Sequence, residues 1–197
     1  MERISRILTN YLIKNKVIAN EKKAIYQYGF QIGMEVCLNT IISIIIAIIC
    51  NMEFEAILFF IVFILLRSYA GGVHLNTYTS CLICSCVSFW GILMIVKYIR
   101  IYDYVALVII SISLLVIKVI SPVQDVNRPI SPNELKIFNN KLNHSIGIII
   151  ILTFAFYFFE LEKMLMMIAV TTLFMVCILF WGKLNYIRCV KNSRLIR

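Results

Sequence analysis

The chain has 197 residues and a formal net charge of +9 at neutral pH. Hydrophobic residues make up 61% of it and charged residues only 15%, with a mean hydropathy of +0.91, and no water-soluble core of this size can bury that much apolar surface. Lipid is the expected solvent, and the expected fold class is an all-α integral membrane protein forming one polytopic domain over residues 1–197, because an isolated span must satisfy its own backbone polar groups.

The N-terminal segment, 1–29, carries Arg3, Arg6, Lys14, Lys16, Lys22 and Lys23 and has no uninterrupted apolar stretch, which argues against a cleavable signal peptide. Within it Ile4, Ile7, Leu8, Tyr11 and Leu12 recur at helical spacing, while Arg3, Arg6, Asn10 and Lys14 fall largely elsewhere on the wheel. This predicts an amphipathic helix on the inner membrane surface, serving either as an anchor to anionic lipid or as a docking element for a partner. Six apolar segments follow, at 30–50, 54–69, 78–96, 104–120, 145–159 and 164–182. The second and fifth are short, so the alternative is four full spans with two partial or re-entrant ones. Of the nineteen Lys and Arg residues, sixteen fall in the N-terminal segment, the 67–77 loop, the stretch around 118–144 and the 183–197 tail. Positive residues are retained on the cytoplasmic side, so both termini and the 67–77 and 121–144 loops are predicted to be cytoplasmic. That basic face suits membrane lipid or an acidic peptide. Nucleic acid is not an expected partner, since the charges are spread over separate loops without a binding motif.

Five of the seven cysteines, Cys37, Cys50, Cys84, Cys86 and Cys177, lie inside apolar runs and read as small buried hydrophobes. Cys84 and Cys86 lack the spacing and companions of a zinc site, so neither a metal nor another cofactor is expected.

The stretch from Arg67 to Cys81 departs from the lipid-facing pattern. Gly71 and Gly72 permit backbone geometry closed to other residues and a close approach to a ligand. His74 and Cys81 are seven residues apart, on one face if the segment is helical. A free thiol with a pKa of about 8.5 is only a few per cent thiolate at neutral pH, and a neighbouring imidazole can take its proton and later return it to a leaving amine. Spacing alone leaves two readings of the pair: a Cys–His catalytic dyad, or an ordinary loop histidine and helix-start cysteine. His144, also predicted to be cytoplasmic, is a substitute base. A third group to orient the imidazole can come from Asp125, Glu134 or Asn127 in the other cytoplasmic loop, with Asp125 preferred. Arg67 is either an oxyanion or carboxylate binder or a positive-inside anchor. The loop from Ser121 to Glu134 holds all three prolines, Pro122, Pro129 and Pro132, and Ser131-Pro132-Asn133-Glu134 reads as a helix start.

The Arg-x-x-x-Gly-Gly-x-His-x6-Cys stretch at 67–81, with the later Pro-Val-x-x-x-Asn-Arg-Pro loop at 122–129, resembles the accessory gene regulator B (AgrB) family, membrane peptidases of Gram-positive quorum sensing. The likeness covers nearly the whole chain, including the basic amphipathic N-terminus. It implies that His74 is the base and Cys81 the nucleophile of a cysteine endopeptidase. Its implied substrate is an AgrD-like propeptide, whose C-terminal tail is removed and whose signal portion closes into a thiolactone or lactone; it also points to a homodimer. Many members of the resembled family place an acid directly after the Pro-Val pair, whereas this chain has Gln124 there and Asp125 one later, which leaves a role for Asp125 open. A rival transporter reading requires ionisable groups within the spans, yet Glu35 and Lys118 stand near span ends. A scaffold that only docks a partner would function without Cys81.

Overall fold

A computed structural model of the protein describes residues 2–15, 17–71, 78–122 and 132–195. Among them are seven α-helices, one 3-10 turn (Asn20–Lys22) and no strand: α1 (Glu2–Lys14), α2 (Lys23–Cys50), α3 (Glu53–Ala70), α4 (Tyr78–Tyr98), α5 (Asp103–Ile120), α6 (Pro132–Phe158) and α7 (Glu162–Leu195). The all-α membrane architecture expected from composition is the one observed. Five helices, α2, α4, α5, α6 and α7, contain stretches long and apolar enough to cross a membrane. The remaining expected segment, 54–69, the second in chain order, is α3. It has 18 residues, about 27 Å at the rise of an α-helix, and carries Glu53 and Glu55 in its first turn and Arg67 in its last.

Several helices outrun the apolar segments. α2 begins at Lys23 rather than near 30, α6 at Pro132 rather than 145, and α7 continues to Leu195, well past 182. Hydropathy marks where a helix meets lipid, whereas backbone hydrogen bonding continues until a breaker intervenes. For α6 that breaker is Pro132 itself, which suits a first helical position because its missing N–H has no partner there.

The chain divides into two compact units. The first comprises residues 1–49 and 75–90. In α1, Ser5 and Thr9 are fully buried and the Thr9 hydroxyl donates to the Ser5 carbonyl at 2.7 Å, while Ile4, Ile7, Leu8 and Tyr11 are exposed. The apolar stripe of this amphipathic helix is thus turned away from the protein, as a helix bedded in a membrane surface requires. α2 likewise presents Ile41, Ile44, Ile45 and Ile48 outward. Its inner side meets α4 through Asn39, whose Oδ1 accepts the Ser85 hydroxyl at 2.8 Å and the Cys86 thiol at 3.6 Å.

The second unit comprises 50–74 and 91–197. α7 is its axis and packs against α3, α5 and α6, while α6 also meets α3 and α5. The run Leu165, Met166, Met167, Ile168 and Ala169 is buried, as are Met175 and Leu179. From α3 come Ala56, Phe59, Val62, Leu66 and Ala70, one inward line at steps of three and four. Phe63 stacks on Phe59 with ring centroids 5.3 Å apart and meets Phe174 of α7 at 6.2 Å. Buried hydroxyls are satisfied within their own helices: Thr153 donates to Ile149, Thr171 to Met167 and Thr172 to Ile168, at 2.7–2.9 Å.

The turns between helices are short. α6 ends in a reciprocal pair of bonds, Leu161 N–H to the Phe156 carbonyl at 2.9 Å and Glu160 N–H to Tyr157 at 3.2 Å, around Glu160 at φ 55°. This is a Schellman closure with glutamate where glycine is usual. Between α2 and α3, Asn51 takes φ 53°, a left-handed conformation that asparagine tolerates. Lys97 donates to the Cys50 carbonyl at 2.9 Å and so caps the C-terminus of α2. Nearby Tyr98, Tyr102 and Tyr104 are exposed, with the last two stacked at 5.5 Å, as in an interfacial aromatic belt.

Candidate functional site

Cys81 is the fourth residue of α4, in the first unit, and its side chain is exposed. Ser85, one turn further along the same helix, points at Asn39 of α2, so Cys81 belongs to the face of α4 that α2 adjoins. His74, Gly72 and Asp125, together with Asn127, lie outside the described residues.

Arg67 and Gly71 belong to the second unit. Gly71 terminates α3 at φ 84° and ψ −164°, where a side chain would be strained. The Arg67 guanidinium, one turn back, donates through Nη1 to the Gly71 carbonyl at 2.6 Å. The short charge-assisted bond fixes the exit of α3, from which the chain runs toward His74, and places a cation at the negative end of the helix. Arg67 therefore has a backbone-holding role beyond those expected from sequence. Tyr69 is covered by Lys141 of α6, whose Nζ stands 5.6 Å from the ring centroid, a cation–π contact joining α3 to α6. His144 and Glu134 are exposed on α6.

Sequence reasoning passed over a polar line on α2. Gln31 Nε2 donates to Glu35 Oε1 at 3.1 Å, Asn39 receives Ser85 and Cys86, and Ser43 is buried. The recurrence of polar residues at 31, 35, 39 and 43, inside a span otherwise rich in isoleucine, was the available signal. The described cysteines, Cys37, Cys50, Cys81, Cys84, Cys86 and Cys177, are free thiols. Among the described residues no three His, Cys, Asp or Glu side chains gather where a metal would be held.

The sequence profile of the family described as "Accessory gene regulator B" matches residues 5–180. Over 143 residues the chain is 24% identical to a protein of Clostridium perfringens (strain SM101 / Type A) named "Putative AgrB-like protein", covering 69% of this chain and 67% of the other. It is 23% identical, with the same coverage, to "Putative AgrB-like protein 2" of Clostridium perfringens (strain 13 / Type A). No solved structure matches it. With nine-tenths of its length matched, the chain belongs to the AgrB family, the processing proteins of the accessory gene regulator quorum-sensing system.

Proposed function

We propose that this protein is a membrane-embedded cysteine endopeptidase that removes the C-terminal tail of an AgrD-like propeptide and passes the remaining acyl group on to ring closure. The observation that carries the reading is the family match over 5–180, which encloses the 67–81 stretch, together with an exposed thiol at Cys81.

In this reading His74 takes the Cys81 proton, and the thiolate attacks the carbonyl of the bond before the tail. The C–N bond breaks, the departing amine receives the proton from the imidazolium, and the leader and signal portion stays on Cys81 as a thioester. A thiol or hydroxyl within the propeptide then displaces Cys81, giving a thiolactone or lactone and regenerating the thiol. Keeping the acyl group on sulfur avoids a free carboxylic acid, whose condensation would be uphill without an activating co-reactant. Removal of the tail fragment or of the cyclic product draws the unfavourable amide-to-thioester exchange forward.

Both termini and the reacting face lie on the cytoplasmic side of the cell membrane. The distribution of Lys and Arg supports this. The apolar stripe of α1 lies against lipid, and the basic residues of the same side attract the acidic tail of the propeptide. The whole chain acts as one polytopic domain.

The test is co-expression with an AgrD-like propeptide and detection of the released tail by gel and by mass, comparing the native chain with Cys81→Ala and His74→Ala. The reading predicts loss of tail release in both variants at unchanged membrane levels. Persistent release by Cys81→Ala would overturn it and favour a scaffold role.

A further inference from the structure

Asn39 is a half-buried primary amide in a span otherwise rich in isoleucine, and the two ends of that amide are engaged differently. Its Oδ1 accepts the Ser85 hydroxyl at 2.8 Å and the Cys86 thiol at 3.6 Å. Among the described residues Nδ2 has no acceptor. Two α4 side chains on the oxygen hold the amide so that its nitrogen is turned away from them. Donors left without a partner are costly in an apolar span, so the free end of the amide is suited to an acceptor brought in with a substrate.

The place at which the amide meets α4 is equally informative. The Ser85 hydroxyl reaches back to the Leu82 carbonyl at 2.9 Å, so it lies over the turn that follows Cys81. Ser85 is one helical turn, about 6 Å along the axis, from Cys81 on the same face of α4. Asn39, Cys81, Ser85 and Cys86 all belong to the first unit, and Cys81 is exposed. A donor amide therefore stands one turn from the candidate nucleophile, on the face that α2 adjoins, and α2 and α4 alone supply the arrangement.

We propose that Asn39 Nδ2 donates to the carbonyl oxygen that Cys81 attacks, and that Ser85 and Cys86 hold the amide in that orientation. The proposal rests on the peptidase reading above and adds an oxyanion-binding group to it. As the Cys81 sulfur bonds to the carbonyl carbon, the π pair of that carbonyl moves onto its oxygen, and Nδ2–H donates to the oxyanion so formed. When the C–N bond breaks the pair returns, and Asn39 neither gains nor loses a proton. A neutral amide suits this position because it carries donors into an apolar span without the cost of a buried charge. A fixed donor in low-dielectric surroundings is also worth more than one in water. Asn39 is in this assignment a catalytic residue, since it touches the reacting carbonyl.

The experiment uses the full chain in lipid nanodiscs, as native protein, Asn39→Leu, Ser85→Ala and Cys81→Ala. Steady-state tail release from an AgrD-like propeptide gives kcat and KM. Iodoacetamide addition at Cys81, followed by mass mapping of its peptide at pH 7, gives the reactivity of the thiol itself. That alkylation is a displacement at a saturated carbon with no oxyanion, so a carbonyl-binding donor does not contribute to it. Asn39→Leu is expected to lower kcat about 100-fold, with KM within about twofold and alkylation within about threefold of native. Ser85→Ala removes the same interhelical bond but keeps Nδ2, and is expected to lower kcat less than about tenfold. Native kcat in Asn39→Leu would overturn the proposal. So would equal losses of kcat in Asn39→Leu and Ser85→Ala, or a fall in alkylation that matches the fall in kcat, since either would show that Asn39 serves only to pack α2 on α4. Turnover by Cys81→Ala sinks the peptidase reading itself, whereas native kcat in Asn39→Leu alongside an inactive Cys81→Ala sinks only the assignment of Asn39.

Discussion

Replacing Asn39 by Leu, Ser85 by Ala, and both together measures the contact that sets the register of α2 against α4. The Ser85 hydroxyl has one proton and two acceptors in reach, Asn39 Oδ1 at 2.8 Å and the Leu82 carbonyl at 2.9 Å. When Asn39 is removed, that proton passes wholly to Leu82 and Ser85 is not left unsatisfied. When Ser85 is removed, Asn39 Oδ1 keeps the Cys86 thiol at 3.6 Å, a weak donor. Both single losses are therefore partly compensated. Hydrogen bonds between membrane helices average about 0.6 kcal/mol and reach about 1.7 kcal/mol. We expect a coupling of about 1 kcal/mol, roughly a fivefold effect on the unfolding equilibrium. Unfolding by SDS in mixed micelles, followed by the fluorescence of Trp90 on α4 and Trp181 on α7, yields the four stabilities of the cycle. A coupling indistinguishable from zero would refute the hydrogen bond between Asn39 of α2 and Ser85 of α4.

Three further outcomes follow from the packing. Lys97→Met removes the cation that caps the last carbonyl of α2 and should cost about 1 kcal/mol in the same unfolding assay; the exposed Lys163, changed likewise, should cost less than about 0.5 kcal/mol, and equal costs would deny the cap. Glu160→Gly relieves a left-handed residue at φ 55° and should stabilise the α6–α7 turn by about 1 kcal/mol, whereas a loss of stability would mean that the glutamate side chain outweighs its strained backbone. Leu66 is fully buried on α3, and Leu66→Ala should cost about 2 kcal/mol, toward the low end of core truncations because lipid already solvates leucine; a neutral result would show that α3 is not packed inside its unit.

The helices were legible because lipid imposes a simple rule: apolar runs become helices, and proline, glycine and charge interrupt them. The stripe Ile4, Ile7, Leu8 and Tyr11 gave α1 its amphipathic character, and Pro132 marked the start of α6. Helix ends were less legible, since α2, α6 and α7 continue through polar residues that hydropathy excludes. Side-chain roles that depend on a neighbour were not legible at all. The capping role of Lys97 depends on the end of α2 lying beside it, and the backbone-holding role of Arg67 on the Gly71 carbonyl turned back toward it. Within the candidate site, the 67–81 spacing singled out His74 and Cys81, while the contact of Asn39 with Ser85 depends on a pairing 46 residues apart that no local pattern encodes. The polar line at 31, 35, 39 and 43 is visible in the sequence, but the contacts of Asn39 with Ser85 and Cys86 of α4 are not.

The acyl intermediate is the most direct object to measure. The native chain, mixed with an AgrD-like propeptide whose internal nucleophile is replaced by alanine, should accumulate a thioester that resists ring closure, and intact mass followed by peptide mapping locates it. The account predicts an adduct of the leader and signal portion on Cys81, sensitive to hydroxylamine and absent in Cys81→Ala. Tail release with no adduct on Cys81, or an adduct on another residue, would contradict it.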